Sequence, residues 1–154
     1  NRNTTPRIER FAAPAGILAG VHNHARLDPN EFARPEDFEM AMRGNRHIRI
    51  NLDIGHLGAA GYDPIPFIDQ HHAHIIALDI KDRRRDQTIV PFGEGDSKVA
   101  EVLRLLRDKR YAIPAMIEYE YQDADAVAEV QRCFDYCTKS VARGGTYPPG
   151  VCRR

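Results

Sequence analysis

A chain of 154 residues is long enough for one domain with a real core and too short for two comfortable ones. Lysine plus arginine and aspartate plus glutamate are equal at 22 each, so no overall field draws the chain to nucleic acid or to an anionic membrane. No apolar run approaches the ~18 residues that a membrane span needs.

The chain opens on Asn1 with no signal-like segment, so it reads as a mature product or a piece of a longer chain. Its compartment is cytoplasmic by default, with export left open. Cys133 and Cys137 sit four apart in a helical pattern and Cys152 lies in the tail. This spacing supports neither a disulfide framework nor a structural zinc.

In chain order, residues 6–14 predict a short helix stopped near Pro14 and Gly16. Residues 17–24 form an apolar strand that runs into His22-Asn23-His24, followed by a polar loop to Arg34. Pro35-Glu36-Asp37 opens a helix that ends by Gly44. Residues 47–54 alternate Ile48, Ile50, Leu52 and Ile54, the mark of a buried strand, and lead into Asp53 and His56. A glycine-rich loop is expected over 55–62, then a helix capped by Asp63-Pro64 and running to about His72. Residues 74–79 are the third strand, emptying into the basic run Arg83-Arg84-Arg85 and the loop from Pro91 to Asp96. Ser97 starts a helix with Val99, Val102, Leu103 and Leu106 on one stripe. The fourth strand spans 113–119, and a last helix runs from near Asp123 to Val141 with Val127, Val130 and Phe134 inward. Residues 1–142 thus form one unit, and 143–154 a solvated tail. Strands alternate with helices, which predicts an α/β fold with a parallel sheet and covering helices.

In such a sheet the carboxyl ends of the strands share one edge, and ligands bind there. The four ends supply His22, His24 and Glu31, then Asp53 and His56, then Asp79, Lys81 and Asp82, and finally Glu118 and Glu120. Oxygen donors with a little imidazole suit Mg²⁺, Mn²⁺ or a similar divalent ion. Each residue also has a structural reading. Asp53 can cap the following turn, and Asp79 and Asp82 can pair with Lys81. At most one arginine of the basic run should touch a substrate. His71, His72 and His74 lie at the opposite edge and read as structural.

Taken together, His22-Asn23-His24, Asn30-Glu31-Phe32, Asn51-Leu52-Asp53-Ile54-Gly55-His56, Asp79-Ile80-Lys81-Asp82, the segment Pro91 to Asp96 and Ile117-Glu118-Tyr119-Glu120-Tyr121 resemble the sugar phosphate isomerase/epimerase family. That family has the xylose-isomerase-like TIM barrel, and the resemblance covers about residues 4–142. It implies the C-terminal half, strands five to eight, of a (β/α)₈ barrel, completed by a missing N-terminal half or by a second copy of the chain. It also implies one divalent metal, Mn²⁺ or Mg²⁺ first and Co²⁺ or Zn²⁺ next, held by Glu31, Asp53, Asp79 and Glu118. His22 is the alternative to Glu31. Asp79 stands where the family carries a histidine, a departure that changes ion preference. By the same resemblance His22, His24, His56, Lys81 and Arg85 contact a small carbohydrate, and Glu118 and Glu31 move the proton.

The implied reaction is isomerisation or epimerisation next to a carbonyl, through an enediolate stabilised by the ion. Elimination from a 3-keto-sugar or inosose is the alternative, as is a half-barrel that binds sugar without turnover. Cleavage of abasic DNA on the same barrel is disfavoured by the neutral charge and the missing histidine.

Overall fold

The computed structural model describes residues 4–28, 31–121 and 125–142. The expected tail and the expected start of the last helix lie outside the described residues. Helix α1 (Thr5–Ala15) precedes strand β1 (Ala19–His22), helix α2 (Pro35–Met42) and strand β2 (Ile48–Asp53). Two short helices, α3 (Ile54–Ala59) and α4 (Pro64–His71), lead to β3 (Ile75–Ile80). Helix α5 (Val99–Lys109), strand β4 (Ala115–Ile117) and helix α6 (Ala126–Val141) complete the order. The strands pair in the order β1-β2-β3-β4, all parallel. The described residues therefore hold four βα units, half the number in a closed (β/α)₈ barrel.

Strand alternation sets the layers. Ile48, Ile50 and Leu52 are fully buried beneath the helices with Leu78 and Ile80 from β3. The intervening side chains, Asn51 and Asp53 on β2 and Asp79 on β3, lie on the other face. The α5 stripe packs as expected, with Val99, Val102, Leu103 and Leu106 all buried. Asp63 caps α4 through Ile65 N–H at 3.0 Å. At the end of α1, Gly16 takes φ +64° and lets Ile17 N–H reach Ala12 C=O at 3.0 Å, so the helix stops there despite Pro14 within it.

Three expectations need correction. The glycine-rich segment after β2 is not a loop: α3 forms there because Ile54 and Leu57 are fully buried, and tertiary burial outweighs the cost of its glycines. Strand β4 is only three residues long, although Glu118 N–H still reaches Ile80 C=O at 3.0 Å and keeps the chain alongside β3. Helix α6 turns its other face inward. Val127 is 82 % exposed, and Val130 and Phe134 are exposed with it, whereas Glu129 and Cys133 are buried. The physical cause is position: α6 is the outermost helix on the β4 side, Tyr121 holds its Glu129 at 2.8 Å, and the apolar stripe lines an open groove with Ile117 of β4. At the β1 side Phe11, Ile17 and Leu18 are likewise exposed. Both edges of the sheet are thus flanked by apolar surface.

Candidate active site

Asp53 ends β2 fully buried, and its position follows from three local constraints. Its Oδ1 accepts the His56 N–H at 2.7 Å and caps α3. Asn23, also fully buried, binds both its backbone groups: Asp53 N–H donates to Asn23 Oδ1 at 2.8 Å, and Asn23 Nδ2 donates to Asp53 C=O at 3.0 Å. The chain at Gly55 must also approach Lys81, where an added Cβ would stand 2.8 Å from the Lys81 carbonyl oxygen. Asp53 Oδ2 is left facing the site, 3.0 Å from Lys81 Nζ and 3.5 Å from His56 Nε2, without a well-aligned hydrogen bond.

Lys81 is 1 % exposed and gathers the acids around it. Its Nζ stands 3.0 Å from Glu118 Oε1 and 2.7 Å from Glu120 Oε2, as well as 3.4 Å from His56 Nε2. Burial alone would depress its pKa, but Asp53 together with the bonds to Glu120, Glu118 and Asp53 outweighs it and holds the ammonium above the usual range. Burial raises the pKa of Asp53 against the pull of Lys81. Burial also raises Glu118, with Lys81 opposing and the Asp53 and Glu120 charges adding to the rise. Glu120 moves the other way, held down chiefly by its hydrogen bond from Lys81.

The imidazoles form a triangle. Ring centroids lie 5.4 Å apart for His22 and His24, 5.9 Å for His22 and His56, and 5.6 Å for His24 and His56. Burial and the neighbouring Lys81 and Arg83 charges push the His56 pKa down to about 3, so this ring is neutral at ordinary pH. Arg83 Nη1 donates to its Nδ1 at 2.5 Å, which places the ring proton on Nε2. His22 Nδ1 faces Asp79 Oδ2 at 3.2 Å, and Asn51 Nδ2 donates to the same oxygen at 3.0 Å. His24 Nδ1 and Glu31 Oε2 are 2.5 Å apart.

The residues expected from the sequence fall into three groups. His22, Asp53 and His56 each offer a donor atom within 4.8 Å of the other two, the group among the described residues that suits a metal ion. Two imidazoles and a carboxylate with positions left open are a donor set for Mn²⁺, Co²⁺, Zn²⁺ or Fe²⁺. The residues fit such an ion: Asp79 holds His22 by Nδ1 alone, and Asp53 Oδ2 is buried facing the site with only the Lys81 ammonium and His56 beside it. His56 joins only by giving up its contact with Arg83 or the one with Asp53 and Lys81. Lys81 and Glu118 form the second group, adjoining the first. Glu31 pairs with His24, and Asp79 with His22 and Asn51; neither carboxylate is in the three-donor group.

Arg85 stands apart: its side chain is exposed and its N–H is tied to Asp96 Oδ2 at 3.0 Å. Arg83 is the member of the basic run that faces the imidazoles. Asn23 and Asn51 also escaped sequence reading. For Asn23 the only signal was its place between two histidines at a strand end. Asp82 does not pair with Lys81 but accepts the N–H groups of Gly93 at 2.8 Å, Gly95 at 3.1 Å and Ser97 at 3.2 Å, folding the 91–97 loop over the end of β3.

The family model for xylose isomerase-like TIM barrels matches residues 5–137. The chain belongs to that family. Solved structures carry the same fold: a 3-keto-D-glucoside 4-epimerase from E. coli (TM-score 0.73, 15% identity) covers 90% of the xylose isomerase-like chain with 52% of its own. An L-ribulose 3-epimerase aligns with a TM-score of 0.73 at 14% identity, over 91% of this chain and 53% of that one. A probable 3-DHS dehydratase involved in petrobactin synthesis from Bacillus anthracis aligns with a TM-score of 0.71 at 18% identity, over 89% and 56%. This xylose isomerase-like chain spans about half the length of the structures it resembles. Comparison with curated proteins gave no significant match. Among the described residues no helix is long and apolar enough to cross a membrane.

Proposed function

We propose that this chain carries the site of a metal-dependent sugar isomerase or epimerase that moves a proton at the carbon next to a carbonyl. The observation that supports the reading is the succession Glu118–Lys81–Asp53–His56, each within 3.5 Å of the next. His22, Asp53 and His56 would hold the divalent ion, Mn²⁺ first, then Co²⁺ or Zn²⁺, with Mg²⁺ disfavoured by the two imidazoles. Bound there, the ion would polarise a sugar carbonyl and acidify the neighbouring C–H bond.

Glu118 is the proposed base. Its raised pKa makes it a better proton acceptor than an exposed glutamate, and the bond from Lys81 fixes its orientation. Glu31, held by His24, is the proposed acid that returns the proton from the β1 side. His24 and Arg83 offer hydrogen bonds to sugar hydroxyls. Epimerisation and aldose–ketose isomerisation differ only in which carbon receives the proton. The likeness to a dehydratase favours elimination of water after the same first step as the second reading.

The test is solvent exchange. In D₂O with Mn²⁺, Mg²⁺, Co²⁺ or Zn²⁺ in turn, free ketoses and 3-keto-glycosides should take up deuterium at the carbon beside the carbonyl, read by mass spectrometry. Glu118→Gln should lower the rate at least a hundredfold. Absence of uptake from every sugar with every one of the four ions overturns the reading. Loss of water from the 3-keto-glycosides selects elimination.

A further inference from the structure

Lys81 brings a complete positive charge into the middle of the acids from which a metal site would draw its oxygen donors. Its Nζ is 3.0 Å from both Asp53 Oδ2 and Glu118 Oε1, so one ammonium bridges these carboxylates. With the side chain 1 % exposed, water does little to screen that charge, and only the acids neutralise it. The neutralisation is incomplete in the opposite sense: three carboxylates surround one ammonium. Asp53 Oδ2 and Glu118 Oε2 are both buried without a well-formed hydrogen bond. A divalent ion on Asp53 Oδ2, at a carboxylate–metal distance of about 2.1 Å, would stand within about 5 Å of Nζ in a poorly solvated space. Two cations so close repel, and one must yield.

The geometry also shows which can move. The Lys81 backbone follows directly on β3 and packs closely against Gly55, so the side chain has the freedom to move. Its third partner, Glu120, lies at 2.7 Å and is the most exposed of the three acids.

We propose that Lys81 is a tethered cation that competes with a divalent ion for Asp53, and that Glu118 and Glu120 keep the ammonium when the ion enters. This rests on the metal-dependent reading above. In the competition Lys81 keeps the acid cluster charge-balanced when no ion is bound and weakens the site for ions that bind loosely.

Calorimetric titration of the 154-residue protein with Mn²⁺ or Co²⁺ tests it, with the visible absorption of Co²⁺ as an independent readout of the donor set. Lys81→Met should bind at least tenfold more tightly than the native chain, and the Co²⁺ spectrum should keep the donor set of the native site. Asp53→Ala should abolish binding in both. Equal or weaker binding by a folded Lys81→Met overturns the proposal while leaving the metal-dependent reading intact. Failure of both proteins to bind overturns that reading and the proposal together. Binding by Lys81→Met alone supports the proposal in its strongest form, with lysine as the standing replacement of the ion. Should Lys81→Met not fold, Glu120→Gln decides: removing a carboxylate that keeps the ammonium should weaken ion binding at least threefold, and unchanged affinity overturns the proposal.

Discussion

Asn23 holds Asp53 by both of its backbone polar groups, at 2.8 and 3.0 Å, inside a region from which water is excluded. The end of β1 thereby fixes the end of β2 by side-chain bonds that stand in for a continuing ladder. Replacing Asn23 by Ala removes both bonds and takes from the buried Asp53 N–H its acceptor, at a cost of about 2 kcal/mol. Chemical denaturation should show that loss, and a change under about 0.5 kcal/mol would refute the role assigned to Asn23.

The loop over β3 depends on Asp82 in a similar way. A Cβ at Gly95 would stand 2.2 Å from Asp82 Oδ1 and 2.8 Å from the Arg83 carbonyl oxygen. Gly95→Ala must push the loop off the carboxylate, for a loss of about 2 kcal/mol. Hydrogen exchange should rise at Gly93 and Ser97 and stay unchanged in α5. Protection equal to the native chain at those two amides would show that the carboxylate is not what folds the loop.

The pH dependence of stability has a component at the far edge of the sheet. Glu9 on α1 accepts His47 N–H at 2.9 Å and lies 2.8 Å from His47 Nδ1, tying the helix to the start of β2. The hydrogen bond with the His47 side chain lowers the Glu9 pKa from its ordinary 4.5. A carboxyl whose folded pKa is lowered adds stability above its unfolded pKa, and that contribution disappears as pH falls through the folded value. Native protein should therefore melt above Glu9→Gln at neutral pH, with the gap closing as pH falls below the ordinary 4.5 and through the lowered folded value. A gap independent of pH would mean that the ionised carboxylate contributes nothing.

The two uncovered edges predict self-association. An all-parallel sheet ends in β1 on one side and β4 on the other, and a second copy offers each edge the strand it lacks. Phe11, Ile17 and Leu18 on one side and Val127, Val130 and Phe134 on the other supply the apolar surface such a contact buries. The 154-residue chain should sediment as a dimer at micromolar concentration, and Phe134→Glu should release monomers. A monodisperse native monomer at that concentration would exclude a second copy as the cover.

Periodicity and turn chemistry made much of this fold readable in advance. Alternating Ile48, Ile50 and Leu52 marks a strand with one apolar face, Asp63-Pro64 marks a helix start, and Val99 to Leu106 marks a helix stripe. All of these are local rules whose outcome the neighbouring residues decide. The same rules placed Asp53, Lys81 and Glu118 at strand ends, since chain position follows from strand length. What local rules cannot supply is the identity of a neighbour distant in sequence. A stripe of Val127, Val130 and Phe134 says that α6 has an apolar face, but not whether another element arrives to cover it. Among three consecutive arginines only the folded loop shows that Arg83 turns to His56 and Arg85 to solvent. That one ammonium bridges acids from two other segments likewise depends on pairing between β2, β3 and β4, because electrostatic contacts depend on distance in space and chain separation does not set it.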